Sequence, residues 1–163
     1  MRLAVCALSI FFAALHAQTS EPLKKLDFLL GEWTGVAGEK DTPLGAGQGS
    51  FSFSPELKQK IIVRRNSANY ASGAQHDDLM VIYAEAGDST PRAIYFDTEG
   101  HVIRYTLAFP SANRAVFESD AALPGPKFRL SYWMEGGALD GLFEVAAPGS
   151  EYKTYLSWTS KKR

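Results

Sequence analysis

Cysteine is almost missing from this chain: the 163 residues hold one, Cys6, near the start. No disulfide framework is available, so stability must come from a packed core. Neither sign of charge dominates, with 17 Lys and Arg against 18 Asp and Glu. That balance gives no electrostatic case for nucleic acid or an anionic membrane surface. After the first residues no apolar run approaches the roughly 20 that a bilayer crossing needs, so membrane insertion is not expected. Helical periodicity is absent after Leu30, as are internal repeats and low-complexity linkers.

The one long apolar run is Leu3 to Leu15, preceded by the basic Arg2 and followed by the small Ala17. This is the pattern of a secretory signal peptide over residues 1–17, too short for a stable membrane span. Export to the periplasm or the medium is therefore expected. The remaining 146 residues, 18–163, suit one domain with a sizeable core. They contain no cysteine, 16 basic and 18 acidic residues, and two histidines, His76 and His101.

Pro22 to Leu30 reads as one short helix or a pair of turns. Leu23, Leu26, Leu29 and Leu30 recur at helical spacing, and Lys24, Lys25 and Asp27 face away. Gly31 ends it and the pattern switches to period two. Ten strand candidates follow: Glu32–Ala37, Gln48–Ser54, Lys60–Asn66, Leu79–Glu85, Arg92–Phe96, His101–Phe109, Ala115–Ser119, Lys127–Met134, Ala138–Val145 and Tyr152–Thr159. Turn signals separate them at the spacing of an all-β sandwich or barrel. Asp97-Thr98-Glu99-Gly100 and Glu135-Gly136-Gly137 are hairpin turns, and Leu123-Pro124-Gly125-Pro126 and Pro148-Gly149-Ser150 are loops.

A sheet of sequential antiparallel strands leaves exposed edges unless it closes. The expectation is an all-β, antiparallel up-and-down barrel of about ten strands, with the N-terminal helix and Trp33 plugging one end. The loops after the odd strands, Gly38–Gly47, Ser67–Asp78, Asp97–Gly100, Asp120–Pro126 and Ala146–Glu151, then share the open rim. A mouth with long loops is where such a barrel admits a ligand. Alternation defines two faces per strand and leaves open which one points inward. Of Arg64 and Arg65, at most one is interior. Leu79–Tyr83 is apolar on both faces, which predicts an outer cover from the helix or from a second subunit in a homodimer.

Leu29-Leu30-Gly31-Glu32-Trp33-Thr34-Gly35 after a short helix resembles the opening of calycin-like barrels, a group that includes lipocalins, fatty-acid-binding proteins and nitrobindin-like proteins. Gly31-x-Trp33 is similar to the short lipocalin opening motif. Gly31 to Gly35, with Pro43 further on, is nearer the nitrobindin-like one. His76 to Tyr83, Tyr95-Phe96-Asp97 and Tyr155 to Ser160 resemble a family of small exported bacterial proteins, over nearly the whole mature chain. Nitrobindin-like proteins bind haem through a histidine near the end of the barrel, and Glu151 to Arg163 holds none. No cofactor is therefore expected. Fatty-acid-binding proteins clamp a carboxylate with interior arginine and tyrosine, a role that Arg104 or Arg129 with Tyr105, Tyr132 or Tyr155 would take here.

The resemblance and the open rim imply a non-catalytic binder of a small, mostly apolar molecule. Arg104, Tyr105, Trp133, Tyr155 and Trp158 are the candidate ligand-binding residues. A second reading is an enzyme whose rim gathers His76, Asp77, Asp97, Glu99 and His101 as acid–base or metal ligands. The plainer account of those residues is turn-capping aspartates and solvated histidines, with no metal. A third reading is an interaction protein with a filled barrel. No Gly-x-Ser-x-Gly elbow supports a serine hydrolase, and Gly45 to Gly49 lacks the lysine of a phosphate loop. Lys161-Lys162-Arg163 reads as a solvated tail.

Overall fold

The computed structural model describes residues 21–120 and 125–163. The leader expected over residues 1–17 lies outside them, as do residues 121–124 of the expected Asp120–Pro126 loop. Of the two forms open to the N-terminal segment, the chain adopts the pair of turns. These are α1 (Glu21–Lys24) and a single 3-10 turn (Asp27–Leu29). Pro22 sits in the first turn, where its missing N–H leaves no bond unmade. Leu23, Leu26 and Leu29 are fully buried, each adding about 1.5–3 kcal/mol of apolar burial. Gly31, at φ 121°, turns the chain into the barrel, and a Cβ there would lie 2.7 Å from the Lys162 side chain. Trp33 closes the end, its indole Nε1 donating to the Leu29 carbonyl at 2.8 Å.

Ten strands follow: β1 (Gly31–Ala37), β2 (Gly47–Glu56), β3 (Ile61–Tyr70), β4 (Gln75–Tyr83), β5 (Arg92–Asp97), β6 (Val102–Ser111), β7 (Arg114–Ser119), β8 (Lys127–Glu135), β9 (Ala138–Ala146) and β10 (Lys153–Lys162). Each pairs antiparallel with its neighbours in sequence, and β1 pairs with β10 from Trp33↔Lys162 to Val36↔Thr159. The up-and-down barrel is closed, so the ring leaves no strand edge exposed. Among the described residues no helix is long and apolar enough to cross a membrane.

Two boundaries differ from the sequence reading in ways that matter for the site. The loop expected over Ser67–Asp78 is mostly strand: β3 runs on to Tyr70 and β4 begins at Gln75, leaving a four-residue turn. The polar run Asn66 to Asp78 hides two strands because one face meets solvent and the other lines a polar part of the lumen. Lys161 and Lys162 are likewise no tail; they end β10, with the Lys162 ammonium 5.6 Å from the centre of the Trp33 ring.

The lower half of the barrel is solid. Trp33, Phe51, Phe53, Phe117, Tyr105 and Tyr132 are all buried and meet at ring-centre distances from 5.4 to 6.5 Å, mostly edge to face. Such pairs add about 0.5–1.5 kcal/mol each beyond their burial. The filling stops halfway up.

Candidate ligand-binding site

Above the aromatic layer lies a cavity of about 470 Å³ that opens at the rim formed by the odd-to-even loops. Its floor includes Phe51 and Tyr105, and its two sides differ. One side, from β8, β9 and β10, is apolar: Phe128, Leu130, Phe143, Val145, Leu156 and Trp158. The opposite side, from β3, β4 and β5, carries Arg64, Asn66, His76, Asp78, Tyr95 and Asp97. Small residues make the room. Trp158 lies flat across Gly141, where a Cβ would fall 2.1 Å from its ring, and beside Gly35.

The polar side is one connected network. Arg64 forms an ion pair with Asp78, the two side chains 6% and 3% exposed. Asn66 Nδ2 donates to the same carboxylate at 2.9 Å. His76 Nε2 stands 3.3 Å from Asp78 Oδ2 and 2.9 Å from the Tyr95 hydroxyl. Its other nitrogen, Nδ1, faces Glu99 Oε2 at 3.1 Å. Nearer the rim, His101 donates its backbone N–H to Asp97 Oδ1 at 2.8 Å and sets its ring Nδ1 2.8 Å from Oδ2. Buried charge is costly unless paired, and here the buried Arg64 and Asp78 neutralise each other while Asp97 is held by hydrogen bonds from His101. Arg64 Nε and the Tyr132 hydroxyl, both buried beside the network, lack a hydrogen bond of good geometry among the described residues, and the hydroxyl neighbours the Arg64 guanidinium.

These contacts reshape the titrations. The bond to Asp78 raises the His76 imidazole, against the opposing effect of its burial and with the help of Glu99, to about 9. Burial works against the Arg64 charge, but Asp78 together with Tyr132 and Tyr95 outweighs it and holds the guanidinium firmly protonated. Burial lifts the Tyr132 hydroxyl to about 12, and it lifts Tyr95 further, where Asp78 and Asp97 add to it. For Asp97 burial favours the neutral acid, yet the bonds from His101 prevail and lower its pKa.

The sequence-derived candidates divide accordingly. Tyr105, Tyr155 and Trp158 line the cavity, as do His76, Asp97, Glu99 and His101 at its polar side and mouth. Tyr155 gets there because a register shift between Thr154 and Leu156 re-aims β10 at the rim. Arg104 and Trp133 are on the outer face. Arg104 is exposed and opposite Ile94, and the Trp133 ring stacks under Arg114 at 5.2 Å. Asp77 also points outward, its backbone carbonyl accepting from the Thr98 N–H. The inward arginine is Arg64. The signal for it is Ile62, two residues earlier on the same face and part of the core. Asp78 escapes a sequence reading as a site residue because the polar start of its strand looks like loop, and Asn66 and Tyr95 escape it because alternation within their expected strands does not choose the inward face.

No protein-family model matches the chain, and no curated protein matches it in sequence. Its likeness is to solved structures. Rv2717c from M. tuberculosis superposes with a TM-score of 0.65 at 13% identity, covering 90% of this chain and 99% of that one. A de novo designed fluorescence-activating β barrel gives a TM-score of 0.41 at 14% identity over 84% of this chain and 95% of the design. At such identity the first likeness is one of fold. The chain is a ten-stranded antiparallel up-and-down barrel whose fold resembles that of Rv2717c over 90% of its length.

Proposed function

We propose that this protein is an exported, non-catalytic binder that holds a small, mostly apolar molecule in the upper half of its barrel. The observation that carries the reading is the cavity of about 470 Å³ left between the aromatic layer and the rim. Its size falls within the range of small-molecule sites, which are largely apolar with a few fixed polar groups. Its two-sided lining narrows the ligand's character. An apolar face would rest on Phe143, Leu156 and Trp158, and a polar substituent would face Arg64, Asn66 and Tyr95. Arg64 lines the cavity and its Nε has no partner among the described residues, which favours a substituent with acceptor oxygens. The carrying residues are then Tyr105, Tyr155 and Trp158 from the sequence reading, with Arg64 in the orienting role expected there of Arg104.

The test is native mass spectrometry of protein exported to a bacterial periplasm, set against its denatured mass. The expected result is a reproducible small adduct that is lost on denaturation, on a chain cleaved after Ala17. A bare native mass, together with no displacement-sensitive uptake of an apolar dye, would sink the proposal. The same spectra address the homodimer expected at the Leu79–Tyr83 face, for which a monomer at high concentration is the contrary outcome.

A further inference from the structure

We infer that the cavity mouth is a binding site for a divalent transition metal of the zinc class, held by His76 Nδ1 with the carboxylates of Asp97 and Glu99. One ligand atom from each of the three residues lies within 4.8 Å of the others. Tetrahedral coordination at zinc's usual bond lengths needs donors about 3.3 Å apart. His76 Nδ1 and Glu99 Oε2, at 3.1 Å, already meet that spacing. Glu99, 42% exposed in its side chain and on the turn between β5 and β6, makes only exposed contacts to His76 and Thr98 and can rotate toward Asp97 when an ion replaces them.

The support around the donors points the same way. His76 Nε2 has the Asp78 carboxylate at 3.3 Å, and Asp78 is itself pinned by Arg64 and Asn66. When an incoming cation displaces the Nδ1 proton that faces Glu99, the carboxylate on the inner nitrogen keeps the remaining proton on Nε2 and aims the Nδ1 lone pair outward. This is the carboxylate–histidine–metal arrangement that orients ligating imidazoles. Asp97 is oriented in turn by the His101 backbone N–H and ring. The charges match as well: a neutral imidazole and two carboxylates balance a dication. An imidazole nitrogen in the set selects zinc-like ions over magnesium and calcium, which take oxygen donors. Access is open, because the three residues border the cavity mouth.

This site does not depend on an apolar ligand below it. The test is isothermal titration of the untagged full chain, freed of metal by chelator, with Zn²⁺ and separately with Mg²⁺. The expected result is one equivalent of Zn²⁺ bound saturably and no Mg²⁺ binding. His76→Ala and the surface change Glu99→Gln, which remove proposed ligands, should each weaken Zn²⁺ by at least the roughly tenfold that losing an outer-shell partner costs. Far-UV circular dichroism should show both variants folded; if His76→Ala unfolds, Glu99→Gln carries the comparison. Absence of saturable Zn²⁺ binding would overturn the inference and leave His76 as an imidazolium bridging Asp78 and Glu99. Unchanged affinity in a folded Glu99→Gln would also overturn it, by placing the ion elsewhere.

Discussion

Arg64 and Asp78 are diagonal neighbours across the β3–β4 ladder, Arg64 opposite Met80 and Asp78 opposite Asn66, and they form an ion pair inside the barrel, both side chains almost wholly removed from solvent. The pair sits at the floor of the polar side of the cavity and anchors the groups around it. Removing one partner strands a buried charge. Arg64→Leu is expected to cost about 3–5 kcal/mol, read by urea unfolding. The double change Arg64→Leu with Asp78→Leu should cost less than the sum of the two single changes by about 1 kcal/mol or more, as coupled neighbours do. Strict additivity in that cycle would contradict the pairing.

His76 makes stability depend on pH in a stated direction. Its folded pKa of about 9 lies above the ordinary value of 6.5. Between those values the native state binds more proton than the unfolded chain, so its contribution is complete below about 6.5 and is lost as pH rises through about 9. In metal-free protein, unfolding free energy should fall from about pH 6.5 to about pH 9.5, and His76→Gln should flatten that slope. Proton NMR titration of the imidazole checks the value directly; a midpoint near the ordinary 6.5 would refute the network.

Gly141 is present so that Trp158 can lie against the backbone of β9. A methyl group there would fall inside the indole, 2.1 Å from its nearest atom. Gly141→Ala should therefore displace Trp158 into the cavity, costing about 1–3 kcal/mol as overpacking does. Trp fluorescence would shift and ligand uptake would fall together. A variant with wild-type stability and emission would contradict the seat.

Ala68 offers a way to close the cavity at its mouth, since it lines the wall on an inward position of β3, opposite His76 on β4. Ala68→Phe is expected to abolish uptake of an apolar dye while unfolding free energy stays within about 1.5 kcal/mol of wild type, because the bulk enters free space and not a packed core. Retained binding would place the ligand outside the barrel.

The plug is a separate folding contribution. Leu26 is fully buried beneath the barrel's closed end, so Leu26→Ala should cost about 2–5 kcal/mol. Trp33→Phe, which loses the bond to the Leu29 carbonyl, should cost on the order of 1 kcal/mol from that bond. Neither change touches the cavity walls, so dye affinity measured well below the unfolding transition should be unchanged in both.

Local pattern was enough to determine the architecture. Period-two alternation, broken by Gly, Pro and Asp at short intervals, specifies ten strands, and strands that follow one another by short turns pair as neighbours. Leu23, Leu26 and Leu29 announced the plug in the same way, through spacing alone. What period two cannot do is choose a face, because both faces of a strand carry the same rhythm. Only closure made that choice. It turned Arg64 inward and Arg104 outward, each in strands whose patterns look alike, and it set Trp158 inside and Trp133 outside. The site was further from view still. His76 and Glu99 are 23 residues apart, and they meet because antiparallel pairing folds the β5–β6 turn back beside the start of β4. The sequence by itself determined which residues alternate and where the chain turns; the closed barrel alone decided which of them face one another. A charged group stays buried only where the ring of strands brings it a partner.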